Sequence, residues 1–182
     1  MKGIIFNLFE QVVSDERGED VWDDLLETAG LDGVYTSLGN YPDAQLIKLI
    51  HAASAALDRT PEDVLRLFGA KAIPLLAGRY PAFFEGHQST RTFLLTLNDV
   101  IHPEVRKLYP GADVPDFSYD TSAPDALTMV YTSPRRLCAL AEGLIAGAAG
   151  HFSERVAVAQ PECMRRGDAR CVFRVSFTQQ EA

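Results

Sequence analysis

Apolar residues recur at helical spacing over roughly the first hundred positions and then give way to alternation, and this switch constrains the fold more than any other feature. Ile4, Ile5, Leu8, Phe9, Val12 and Val13 predict an amphipathic helix over 2–14. Val21, Trp22, Leu25, Leu26 and Ala29 predict a second that stops at Gly30. Gly33, Gly39, Asn40 and Pro42 mark 31–43 as loop, and Leu46, Ile47, Ile50 and Leu57 mark a third helix over about 44–58. Thr60 reads as an N-cap with Pro61 at the first helical position, where its missing N–H costs nothing. The helix it opens is mostly apolar through Ala77 and therefore central. Another begins near Ser89 and carries Phe93, Leu94, Leu97, Val100 and Ile101 up to His102, where Pro103 is expected to bend or end it.

Beyond about residue 112 the texture changes. Residues 127–131 are rich in strand formers, 134–150 return to a helical stripe, and Val156–Val158 and Cys171–Phe177 alternate as strands around an Arg166-Gly167-Asp168 turn. The order is a helical first half, then strand, helix, strand, strand, an α+β pattern. We expect a helical N-terminal part over about 1–60, then further helices and an antiparallel sheet over about 61–182, in one domain. A chain of 182 residues suffices for one domain and barely for two. The net charge of −8 disfavours nucleic acid and acidic lipid as partners. Three cysteines make no disulfide framework, and a reducing compartment fits them. Asn7 and Glu10 interrupt the only apolar run near the start, so no signal peptide and no membrane span is expected, and the chain reads as cytoplasmic.

Of the four histidines, His51, His87 and His151 read as surface or helix-end residues. His102 differs, because it faces where an apolar stripe faces: it is either a core histidine bonded to a carbonyl or a ligand. In Tyr131-Thr132-Ser133-Pro134-Arg135, an extended backbone would turn Tyr131, Ser133 and Arg135 to one side as converging donors able to hold a carboxylate. Ser133 as N-cap and Pro134 at the first helical position describe an ordinary helix start equally well.

Taken together, Met-Lys-Gly-Ile-Ile-Phe-Asn at the start, Asn98-Asp99-Val100-Ile101-His102, the Tyr131-x-Ser133-x-Arg135 triplet and Ala141-Glu142-Gly143-Leu144-Ile145 resemble the H-NOX family of haem–nitric oxide/oxygen binding domains over essentially the whole chain. The resemblance implies haem b buried between the helical part and the sheet, with His102 on the iron and Tyr131, Ser133 and Arg135 on the propionates. It also places Ile5 and Phe9 in the pocket, Pro115 against the porphyrin, and Leu140 and Leu144 in the walls. Plain core packing accounts for Ile5 and Phe9 as well, and an ordinary loop for Pro115. Dioxygen-binding members use a distal tyrosine as donor; the matching position is Leu140, with Phe9 and Ala72 beside it, and none of the three donates. The resemblance thus implies nitric oxide sensing, with carbon monoxide also binding, and a histidine kinase or diguanylate cyclase as partner in trans, in a protein that is not an enzyme. Tyr80 and Tyr41 are further tyrosines able to supply a hydroxyl.

Some H-NOX proteins carry a zinc ion on three cysteines and a histidine, and Cys138, Cys163 and Cys171 match the three thiolates. Gln160 stands where the histidine is expected, so Glu162, His151 or water would have to complete the shell; buried small hydrophobes or free thiols are the alternative. Two rivals remain. One is a dioxygen-binding haem protein. The other is a haem-free binding module resembling the domain named after 4-vinyl reductase, suggested by Gly143 through Phe173 with its Glu162-Cys163 and Gly167-Asp168-Ala169-Arg170-Cys171. No Gly-x-Ser-x-Gly elbow or His-Glu-x-x-His helix supports a hydrolase.

Overall fold

A computed structural model describes residues 1–178. Seven α-helices and four strands follow in the order α1 (Gly3–Arg17), α2 (Val21–Ala29), α3 (Asp43–Leu57), α4 (Pro61–Arg79), α5 (Thr90–Leu95), α6 (His102–Leu108), β1 (Asp116–Asp120), β2 (Ala126–Thr132), α7 (Cys138–His151), β3 (Arg155–Glu162) and β4 (Cys171–Thr178). The strands form one antiparallel sheet in the order β1-β2-β4-β3. This is the α+β arrangement expected from the switch in periodicity. No helix among the described residues is long and apolar enough to cross a membrane.

Two apolar cores hold the fold. The first gathers Phe6, Phe9, Trp22, Leu46, Leu49 and Phe68 from α1–α4. The second gathers Phe84, Phe93, Leu127, Met129, Ile145, Phe173 and Val175 between α5, α7 and the sheet. α4 and α7 join them, and their sequences allow an unusually close crossing. A Cβ added at Gly69 would lie 2.5 Å from the Leu140 carbonyl oxygen, and one at Gly143 would lie 2.2 Å from that of Arg66. Only hydrogen fits at these two points. Arg66 then reaches Glu142 across the crossing, Nε to Oε2 at 2.8 Å.

Thr60 caps α4 as expected, its hydroxyl accepting from the Asp63 N–H, and Ser89 does the same for α5 at Thr92. Three features depart from the elements expected. Pro103 does not end a helix; it opens α6, because the chain reaches it through a π-helical turn over Leu97–Ile101, and in a first turn the absent N–H is not missed. α7 starts at Cys138 and not at 134. Arg136 takes a left-handed conformation, φ 51°, which no helix accommodates, so Ser133-Pro134 form a turn and not a cap. Strand β1 was not foreseen; its Phe117 and Tyr119 alternate with polar residues, but Asp116 and Asp120 at its ends masked a five-residue edge strand. The bend between β3 and β4 begins with a 3₁₀ turn at Met164–Arg166, and Gly167 supplies the positive φ of 102°.

Candidate functional site

Between the two cores lies a largely apolar cavity of about 340 Å³. Ile4, Ile5 and Leu8 of α1, Ile73 and Leu76 of α4, and Leu140, Leu144 and Ile145 of α7 form its apolar walls. One imidazole faces it. His102 heads α6, with its ring 6.0 Å from that of Phe117 at 29°. Burial, assisted by the Arg106 guanidinium and opposed by Asp116, pushes the His102 pKa down to about 4. The ring is therefore neutral near pH 7, and neither ring nitrogen has a hydrogen-bond partner among the described residues. The core-histidine reading required a carbonyl partner, and there is none; the nitrogen lone pair is free to bind a metal.

The opposite chemistry gathers at one edge. Tyr131, Ser133 and Arg135 all line the cavity. Tyr131 is the last buried position of β2, opposite Phe117 on β1 and Cys171 on β4. Burial raises its phenol pKa, against hydrogen bonds from the Ser133 side chain and the Leu137 backbone. The alternation continues through the turn, so Ser133 is buried while Thr132 is exposed. Arg135 donates from Nε to Asp43 Oδ2 at 2.7 Å and from Nη1 to the Asp113 carbonyl at 2.6 Å, with Asp113 Oδ2 at 3.0 Å. Burial works to raise the Asp43 pKa, but the Met1 amino group and Arg135 outweigh it and hold the carboxyl below its usual range. The guanidinium is thus already set as a carboxylate binder at the rim.

Ile5, Pro115, Leu140 and Leu144 line the cavity as the resemblance implied. Phe9 does not. It sits one layer behind, packed edge-on against Phe68 and Trp22, because α1 turns its Ile5–Leu8 face to the cavity and its Phe9 face to the first core. Tyr41 also stays away, packed edge-on against Phe6 and Tyr35 with its hydroxyl accepting from the Thr36 N–H. Tyr80 does line the cavity, yet its hydroxyl is engaged with that of Tyr109 at the end of α6. Sequence reasoning missed Ile4, Leu8, Leu76 and Tyr109; their apolar stripes were legible, but not which side of each stripe meets a cavity.

Behind β2 the three cysteines converge. All are buried, their sulfurs lie within 4.8 Å of one another, and Cys138 Sγ is 3.5 Å from Cys163 Sγ. Burial, then Cys163, raises the Cys138 pKa against hydrogen bonds from Gln160 and Cys171, and burial pushes Cys171 up to about 12. For Cys163 burial also acts upward, but the Arg165 and Arg166 N–H groups outweigh it. The Gln160 amide faces Cys138, and its nitrogen has no other partner among the described residues. Glu162 and His151 do not join: Glu162 pairs with Arg170 at 2.9 Å, and His151 packs between Phe84 and Phe152. Among the described residues the donor set is three thiols with no fourth ionisable ligand.

An apolar slot with one unpaired neutral imidazole on its wall and a guanidinium, hydroxyl and phenol at one edge suits a flat, metal-bearing ring with carboxylate side chains. That is the site of a haem protein. A family model described as haem-NO-binding matches residues 2–160, and the chain belongs to this family, whose members bind haem and diatomic gases. It superposes on an H-NOX protein from S. oneidensis, solved in the Fe(II)NO state, with a TM-score of 0.92 and 33% identity over 98% of this chain and 100% of that one. An Fe(II) unliganded H-NOX protein from K. algicida matches with a TM-score of 0.89 and 28% identity over 100% and 99%. An oxygen-binding H-NOX domain related to soluble guanylate cyclases, solved as its oxygen complex, matches with a TM-score of 0.83 and 27% identity over 98% and 96%.

Proposed function

We propose that this protein is a nitric oxide sensor that holds haem b on His102 and signals to a separate protein. The observation that carries the reading is the unpaired imidazole of His102 facing the same apolar cavity as Tyr131, Ser133 and Arg135. Bound there, the haem supplies a ferrous iron with one face open to a diatomic gas. The chain does the rest. Tyr131, Ser133 and Arg135 anchor the propionates, and Arg135 exchanges Asp43 or Asp113 for them. Leu140 and Leu144 exclude water and offer no hydrogen bond. Dioxygen gains charge on binding and depends on a donor; nitric oxide and carbon monoxide do not, so these walls favour the latter two. With a haem held on His102, nitric oxide would weaken the hold on that imidazole, and His102 and α6 would then be free to move, shifting the helical half against the sheet. A histidine kinase or a diguanylate cyclase is the partner class we assign.

One absorption spectrum tests this. The reduced protein should show a ferrous Soret band that nitric oxide converts to a five-coordinate nitrosyl type, with no stable oxy form in air. His102→Ala should lose haem unless imidazole is supplied. A preparation that stays colourless with added hemin overturns the reading, and a stable oxy spectrum moves it to the dioxygen-binding alternative.

The thiol cluster favours a second, separate reading: a zinc ion on Cys138, Cys163 and Cys171 with water as fourth ligand. All three thiols must lose protons to bind it, so affinity should rise with pH. Titration with Cd²⁺ should produce sulfur-to-metal charge-transfer absorption that Cys163→Ala removes; no such band between pH 7 and 9 rejects the site.

A further inference from the structure

The π-helical turn before His102 is held by one side chain. Asn98 donates from Nδ2 to the Phe117 carbonyl and accepts the Phe117 N–H on Oδ1 at 3.3 Å. β1 is the edge of the sheet, so those two backbone groups would otherwise face away from any strand. The carboxamide, with one donor and one acceptor side by side, replaces the missing neighbour. Phe117 also touches the two functional ends of the site. Its ring stacks with that of His102 at 6.0 Å, and it lies opposite Tyr131 in the β1–β2 register, ring to ring at 5.6 Å. Ring contacts thus lead from His102 through Phe117 to Tyr131, and Asn98 fixes Phe117 to the turn.

We propose that Asn98 is the positioning residue of the axial imidazole: by locking the π-helical turn onto Phe117 it sets where His102 stands and ties the displacement of His102 to β1, β2 and Tyr131. The proposal rests on the haem reading above. π-Helical turns carry an extra residue that a regular helix would expel, so this one persists only while something holds it. With Asn98 in place, His102 moves only by dragging the edge strand; without it, His102 and α6 move alone.

The test compares wild type with Asn98→Ala and Asn98→Asp, the latter keeping an acceptor for the Phe117 N–H but losing the donor to its carbonyl. Both variants should retain haem, because His102 and the carboxylate anchors remain. Resonance Raman of the ferrous form should show the iron–histidine stretch shifted in both. The ratio of five- to six-coordinate nitrosyl should rise about tenfold in Asn98→Ala, as expected for losing hydrogen bonds of ordinary strength. In the haem-free protein, exchange of the Phe117 amide should accelerate about tenfold in Asn98→Ala and stay slow in Asn98→Asp. If Asn98→Ala does not fold, Asn98→Asp decides. A haem-replete wild type whose variants match it in iron–histidine stretch and nitrosyl ratio overturns the role of Asn98 while leaving the haem reading standing. A wild type that takes up no haem overturns both, and the amide exchange then reports only a structural bond.

Discussion

Tyr109 ends α6 with its hydroxyl against that of Tyr80, and burial, reinforced by this bond, pushes its pKa up to about 12. Burial, with Asp99 nearby, does the same to Tyr119, whose hydroxyl donates to the Leu94 carbonyl at 2.8 Å. An unfolded tyrosine titrates near 10. Between roughly pH 10 and 12 the unfolded chain thus holds fewer protons than the folded one, and stability falls as pH rises. Haem-free protein should show late-ionising tyrosines by ultraviolet titration, Tyr109 and Tyr119 among them, and Tyr109→Phe should remove one. That substitution should also cost about 1 kcal/mol near pH 7, by denaturant melts, through the lost partner of Tyr80. At this scale much of the site was readable. His102 was singled out by its place on an apolar face, and the Tyr131–Arg135 alternation was seen as one of two options. The left-handed Arg136, which settles that choice against a helix start, leaves no mark in a single sequence.

The α4–α7 crossing sets the cavity wall, because it places Leu140 and Leu144 one helical turn apart on either side of the glycine contact. Gly143→Ala would put a methyl carbon 2.2 Å from the Arg66 carbonyl oxygen, and backbone cannot yield there as a side-chain tip would. We expect a loss on the order of 1–3 kcal/mol in a thermal or urea melt, together with weaker haem retention as the wall moves. A matching alanine at Gly150, which has open space around it, should leave both measurements unchanged within about 0.5 kcal/mol. Helices were the more legible elements, since a long 3.6-residue period repeats its signal several times. β1 offered two alternations only, and the π-helical turn reads in sequence as one continuous helix with Pro103 as an apparent stop.

In the whole molecule, the cavity lies between two apolar cores and is lined by residues of both. Haem binding should therefore stabilise folding by mass action, raising the melting temperature with haem concentration. Arg135→Ala should reduce that increment, since the proposed propionate anchor is lost, while Asp43 keeps the Met1 amino group; differential scanning calorimetry at fixed haem concentration reads the difference. An increment equal to wild type would show that Arg135 serves only the Asp43 and Asp113 pairs.

Local chemistry alone determined the helical first half, the strands at 127–131, 156–158 and 171–177, the cap at Thr60 and the helix start near Ser89, because each depends on neighbours within a turn or two; the haem reading came from the resemblance to the H-NOX family. Three decisions belonged to the tertiary structure. Which α1 face meets the cavity excluded Phe9, the crossing at Gly69 and Gly143 fixed the wall, and the β3–β4 bend brought Cys163 and Cys171 to Cys138 while leaving His151 and Glu162 elsewhere. Each is a contact between segments far apart in the chain, and no periodicity or spacing within one segment encodes which distant partner it will meet.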